Sequence, residues 1–187
     1  MDTEEKIKKL EEEVNALKDT FVKFEKNAAE NKLSMVVFSG DLDKALAAFI
    51  IATGAVAMGM EVVLFFTFWG VSLLRKKQGT AKNKDIFGKM FGAMLPKGAS
   101  KSKLSKMDMG GMGTGMMKHL MKKKNVASLE EMIDLAGELE VKIYICEMSM
   151  DLMGFSRSEM IDYPDLGFGG VAKFLEEAGT SKAQLFI

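Results

Sequence analysis

The 187-residue chain has one cysteine, Cys146, and one histidine, His119, and its 26 Lys and Arg are balanced by 26 Asp and Glu. A single thiol forms no internal disulfide, so the fold is not stapled. A reducing compartment, the cytoplasm, is the expected location. A self-sufficient peroxidase with its own resolving cysteine is excluded on the same count. The sequence holds no CxxC, no HExxH and no acidic cluster at a ligand spacing, so neither a metal nor a cofactor is expected. The charged opening "MDTEEKIKKLEEE" lacks the early apolar run of a secretory leader. Zero net charge leaves the whole-chain balance silent about partners.

What is present is a large apolar fraction, 48% of the residues, enough to bury a sizeable core. The longest apolar stretch, Ala45 to Leu74, is interrupted at Gly59 and Glu61. Small, helix-like residues precede the break, and β-branched and aromatic ones ("VVLFF") follow it. That change of character reads as a buried helix, a turn and a buried parallel strand, not as a membrane span.

Residues 1–31 read as a separate amphipathic helix. Ile7, Leu10, Val14, Leu17, Phe21 and Phe24 alternate at spacings of three and four, an a/d seam with charges between. A lone helix of this length is marginal in water. The seam therefore packs on its own domain or pairs with copies of itself in a homo-oligomeric coiled coil. The domain proper spans residues 32–187. Strands are expected at Leu33–Ser39, Glu61–Phe66, Val141–Cys146 and Ala183–Ile187, with a poorly marked fifth near Met160–Phe168. Helices are expected after Gly40, with Asp41 as N-cap and Gly59 as stop, from Phe68 onward, over Ser128–Glu140 with a Ser128/Glu131 capping box, over Met148–Met153, and over Gly169–Ala178. This alternation predicts a three-layer α/β/α sandwich around a mainly parallel sheet of about five strands.

Between about residues 76 and 124 the pattern breaks down into a Lys-, Gly- and Met-rich insertion, read as a mobile flap. Residues 75–124 carry a local charge of +12 and residues 125–187 one of −8. The flap suits a small anion or an acidic protein. Nucleic acid is disfavoured, because no recognition module accompanies the lysines. His119, in "MMKHLMKKK", reads as a solvated side chain. The methionines read as adaptable apolar contact and not as copper ligands. "GGMGTG" (residues 110–115) fails the phosphate-loop patterns and reads as a flexible stretch.

Parallel sheets place ligands at the carboxyl ends of their strands. Ser39, Gly40 and Asp41, then Thr67, Phe68 and Trp69, then Cys146 and Glu147 lie at such ends and are expected to share one edge. Amides at a helix start favour a thiolate, and a partly accessible Cys146 is the expectation. Glu147 would oppose the thiolate if its carboxylate pointed inward. A buried cysteine can also be only a small hydrophobe.

The segments "MVVFSGDLDKALAAFIIATGAVAMGMEVVLFFTFWGVSLL", "KMDMGGMGTGMMKHLMKKKNV", "YICEMSMDLMG" and "GGVAKFLEE" together resemble the DsrE/DsrF-like superfamily, in its DsrE2/DsrE3-type branch, often labelled peroxiredoxin-like, over residues 33–187. The resemblance implies a parallel five-stranded α/β/α sandwich, frequent oligomerisation and sulfur trafficking. It implies that Cys146 takes up small anionic sulfur species as a persulfide or thiosulfonate and passes sulfur to a TusA-like carrier protein, as a carrier or sulfurtransferase. It also matches Ser39, Gly40 and Asp41 to the family's "SGD" turn and Phe68, Trp69 and Gly70 to its aromatic turn, the candidate substrate-binding residues. Two other readings compete: a binding or scaffold module with a structural cysteine, and a weak thiol peroxidase.

Overall fold

Phe65 and Phe66 are adjacent in sequence and face opposite sides of one sheet. The Phe66 ring lies 6.1 Å from that of Phe49, and the Phe65 ring 5.5 Å from that of Phe174. Two helical layers must therefore cover two apolar faces. The computed structural model describes residues 3–27, 29–77 and 86–187. Contacts divide the chain into two units, residues 1–30 and 31–187.

The first unit is helix α1 (Thr3–Asn27). Its seam residues Ile7, Leu10, Val14, Leu17 and Phe21 are exposed. The side chain of Phe24 lies outside the described residues.

The second unit is built on strands β1 (Glu30–Val37), β2 (Glu61–Phe66), β3 (Lys142–Cys146), β4 (Leu166–Gly169) and β5 (Ser181–Phe186), in the order β4-β3-β2-β1-β5. The β1–β2, β2–β3 and β3–β4 pairs are parallel. The Ile187 peptide donates to the Val36 carbonyl and accepts from the Phe38 N–H, the parallel bonding pattern. On the Phe66 face lie α2 (Leu42–Ala57) and α5 (Leu129–Glu138), which pack on each other. On the Phe65 face lies α7 (Val171–Thr180), which joins β4 at one edge of the sheet to β5 at the other. The three-layer parallel architecture expected from the sequence is the one observed.

Met35, Val37, Leu64, Phe66, Ile143 and Ile145 supply the sheet's contribution to the core, against Ala45, Ala48, Phe49 and Ala52 of α2 and Ile133 of α5. Each large aliphatic or aromatic side chain so buried contributes about 1.5–3 kcal/mol. The alanines of α2 let the helix approach the sheet closely. Gly59, at φ +76°, ends that helix as expected, in the left-handed conformation glycine adopts without strain. The Ser128/Glu131 capping box at the start of α5 is also present.

Three expectations are corrected. The segment from Phe68 is a 3₁₀ turn, Phe68–Leu74, and not the start of a long helix. Arg75 then leaves in extended conformation and bridges Met160, burying its guanidinium beside Glu159. The fifth strand is confined to Leu166–Gly169, and α7 starts only at Val171 because Gly169 still pairs with Cys146. Asp41 is the N-cap residue of α2, as expected, and makes no side-chain cap bond. Finally, the 76–124 segment is not featureless. It holds α3 (Ile86–Met94), α4 (Met112–Lys123) and a 3₁₀ turn, Ala99–Lys101. Residues 78–85 of that segment lie outside the described residues. The segment is tied down where Leu42 N–H donates to the Lys103 carbonyl (2.7 Å) and Ser105 donates twice to the Asp43 carboxylate. No helix among the described residues is long and apolar enough to cross a membrane.

Candidate functional site at the carboxyl edge of the sheet

Strand β1 delivers Ser39, Gly40 and Asp41 to its carboxyl end. The Ser39 hydroxyl donates to Asp41 Oδ2 (2.8 Å) and accepts from the Asp41 N–H (3.1 Å). The Asp41 carboxylate also meets Lys44 Nζ at 3.1 Å. Asp41 Oδ2 thus serves both Ser39 and Lys44, and the carboxylate makes no cap bond to α2.

Strand β2 delivers Thr67, Phe68, Trp69 and Gly70 beside them. The Gly70 N–H donates to the Phe38 carbonyl at 2.9 Å, and a Cβ on Gly70 would sit 2.3 Å from the Val37 oxygen. A Cβ on Gly40 would sit 2.8 Å from the Trp69 oxygen. The two expected binding glycines therefore have a further role: they let the turns after β1 and β2 interlock backbone to backbone. Phe68 has φ +44°, a strained conformation for a bulky residue. Its ring packs on Phe38, with centroids 5.3 Å apart, and Phe38 in turn packs on Phe186. Trp69 beside it is exposed.

Strand β3 ends at Cys146, which occupies the N-cap position of α6 (Glu147–Leu152) and pairs in register with Gly169 of β4. Cys146 is buried, at 4% exposure, which corrects the expectation of a partly accessible thiol. Helix α6 packs closely on the turn after β2. Ser149, wholly buried, accepts from the Phe68 N–H (3.0 Å) and shares a hydrogen bond with Thr67 Oγ1 (2.9 Å). The strained Phe68 amide is satisfied by that hydroxyl. Glu147 turns toward the Arg157 guanidinium, which lies over the Phe168 ring at 4.7 Å. Its carboxylate is therefore paired with a cation on the exposed surface.

The carboxyl ends of adjacent strands β1, β2 and β3 thus bring Ser39, Gly40, Asp41, Phe68, Trp69, Gly70 and Cys146 to one edge. His119 does not join them as a base; it is exposed on α4. Among the described residues no group of three or more His, Cys, Asp or Glu is placed to hold a metal. The Gly-rich stretch is an ordered helix entry and not a floppy link. Gly110 and Gly111 adopt φ +70° and +102°, and the Met107 carbonyl lies where a Gly113 Cβ would stand. Thr114 accepts from the Leu104 N–H and donates to Asp108. Sequence reasoning missed Ser149 and Arg157. The first carried one usable signal, a small polar residue three positions after Cys146 on a short helix. The second carried none, since its partner Glu147 is set by the fold.

A three-layer sandwich with an interior strand ending in a lone thiol at a helix start defines a class, and comparison with known proteins gives the family. The description DsrE/DsrF/DrsH-like family matches residues 29–186, and the chain belongs to that family. It is 47% identical over 156 residues to the uncharacterized protein YrkE of Bacillus subtilis, covering 83% of this chain and 96% of that one. It is 40% identical over 162 residues to the sulfur carrier protein DsrE2 of Allochromatium vinosum, covering 84% of this chain and 99% of that one.

Proposed function

We propose that the protein traffics sulfur, holding it on Cys146 and passing it to a TusA-like carrier protein. The observation that carries this reading is the position of the single thiol, at the carboxyl end of an interior strand and the N-cap of α6. Similarity to a protein named as a sulfur carrier supports it. In the persulfide route the Cys146 thiolate attacks the outer sulfur of thiosulfate, and sulfite leaves with the bonding electron pair. The thiolate of the acceptor then takes that outer sulfur and restores the Cys146 thiolate. With tetrathionate, the Cys146 thiolate attacks a central sulfur, the central S–S bond breaks and thiosulfate leaves with its electron pair, which loads a thiosulfonate instead. Either route needs the sulfur exposed, and α6 is the element that must yield, opening the Ser149 contacts. Ser39, Gly40, Asp41, Phe68, Trp69 and Gly70 line the same edge and are the substrate-side residues of the proposal. A reducing cytoplasm would keep the lone thiol available, and the exposed α1 seam favours a homo-oligomer.

The burial of Cys146 favours a second reading, a binding module whose cysteine is structural. Transfer separates the two. Protein treated with thiosulfate or polysulfide, desalted and mixed with a TusA-type carrier should pass sulfur to that carrier, and Cys146→Ser should pass none. A Cys146→Ser variant that binds the carrier normally, with no sulfur moved by the parent chain, would favour the binding module.

A further inference from the structure

A cleft of about 670 Å³ opens between α4, the link to α5, the first turn of α5 and the 3₁₀ turn Ala99–Lys101. Cys146 is not among its lining residues, so it is separate from the proposed sulfur site. Leu42, Met121, Val126 and Leu129 give it apolar walls, while Lys118, Lys122 and Ser100 give it polar ones. The Ser100 hydroxyl is the buried side-chain polar atom that has no hydrogen-bond partner among the described residues. Buried hydroxyls are nearly always bonded.

Two lysines and two glutamates line the cleft, and one of the two carboxylates has a cation from outside the lining. Glu130 is paired with Lys77 at 2.7 Å, and Glu131 accepts from the Ser128 N–H and hydroxyl in the capping box. Lys118 Nζ spends two of its three donors on the Ser100 and Ser102 carbonyls, at 2.8 and 3.4 Å, which bear no formal charge. Lys122 makes no ion pair among the described residues. With the Lys77–Glu130 pair set aside, Lys118 and Lys122 outweigh Glu131 by one positive charge, and the cleft also holds an unbonded buried hydroxyl and an apolar floor.

We propose that this cleft binds a small amphiphilic oxyanion, a carboxylate, sulfonate or phosphate head on a short apolar body. The head takes the remaining Lys118 donor, Lys122 and the Ser100 hydroxyl, and the body lies on Leu42, Met121, Val126 and Leu129. Lys118 doubles as the clamp that shapes the Ala99–Lys101 turn, so its removal would confound binding with folding. Ser100 and Lys122 avoid that difficulty. Ser100→Ala deletes an unsatisfied hydroxyl and should unfold at the same urea concentration as the parent or a higher one.

Calorimetric titration of the full chain with octane-1-sulfonate, and with octan-1-ol as the uncharged counterpart, tests the assignment. The sulfonate should bind and the alcohol should bind at least about tenfold more weakly. Ser100→Ala should weaken the sulfonate about tenfold with its fold intact. Lys122→Gln should weaken it about two- to fivefold, with the difference lost in 1 M salt. No binding of the sulfonate, equal binding of the alcohol, or unchanged affinity in either variant would overturn the proposal.

Discussion

At Gly40 and Gly70 the turns after β1 and β2 come so close that neither has room for a side chain. The obstacles are backbone carbonyls, that of Val37 at the end of β1 and that of Trp69 in the turn after β2, which cannot swing aside as a flexible side chain could. Gly70→Ala should therefore destabilise the fold by about 1–3 kcal/mol, the range of overpacked core sites. Gly54, inside α2, meets nothing within 4 Å of its would-be Cβ. Gly54→Ala should instead stabilise by about 0.5–1 kcal/mol through helix propensity. Urea unfolding of the two variants should move in opposite directions. Equal effects would show that the close approach at Gly70 relaxes without cost. The same residues illustrate what the sequence conveys and what it withholds. The turn composition marked Gly40 and Gly70 as belonging to the edge that holds Cys146. It could not reveal that a backbone contact between them, made across about thirty residues of chain, is what demands glycine.

Among the elements, the strands rich in β-branched and aromatic residues were legible. Glu61–Phe66 was located to the residue, and β3 to within one position at its start. Strand β4 was not, because Gly167 and Gly169 leave it without alternation. Gly167 is needed because the Tyr144 ring lies across its Cα, at 2.5 Å from the place of a Cβ. The helices of the basic segment were hidden for a similar reason: Gly, Met and Lys give no clear apolar stripe. The Arg75–Glu159 pair, 84 positions apart, had no sequence signal at all. Both side chains are almost fully buried, 3.5 Å apart, with the guanidinium 4.3 Å over the Phe155 ring. Burial lowers the Arg75 pKa, opposed by the Glu159 carboxylate. Arg75→Met should cost about 3–5 kcal/mol, because Glu159 would be left buried without its cation. The double change Arg75→Met with Glu159→Leu should recover most of that loss. A single-variant cost as small as a surface pair's would mean that water reaches Glu159. Helix α1 carries its own prediction. Its apolar seam is exposed and needs a cover. Deleting residues 1–30 should lower the mass measured by light scattering, whereas an unchanged mass would show that the 31–187 unit alone sets the assembly.

Over the whole molecule, the zero net charge conceals a basic 75–124 segment and an acidic remainder, and buried ion pairs join distant parts of the chain. Lys32, buried in β1, meets Glu177 of α7 at 3.1 Å, and Lys173 meets the other Glu177 oxygen at 3.0 Å. Burial raises the Glu177 pKa, but the hydrogen bonds from Lys173 and Lys32 outweigh it and the net direction is down. A carboxylate with a depressed folded pKa stabilises fully above its unfolded value of about 4.3, and that contribution is lost as the pH falls through the folded value. The stability gap between the parent chain and Glu177→Gln should thus be constant near neutrality and close below about pH 4. A gap that is the same at pH 3 and pH 7 would assign the cost of the substitution to packing.

The central claim concerns one sulfur atom on one residue. Its most direct test is intact-protein mass spectrometry after exposure to thiosulfate, tetrathionate or a polysulfide, followed by peptide mapping. The account predicts a gain of one sulfur atom or one thiosulfonate group, confined to the peptide bearing Cys146, removed by a reductant and absent from Cys146→Ser. A parent chain that stays unmodified under conditions that label it once α6 is loosened by Ser149→Ala would show Cys146 sealed in the native state and would contradict a carrier role.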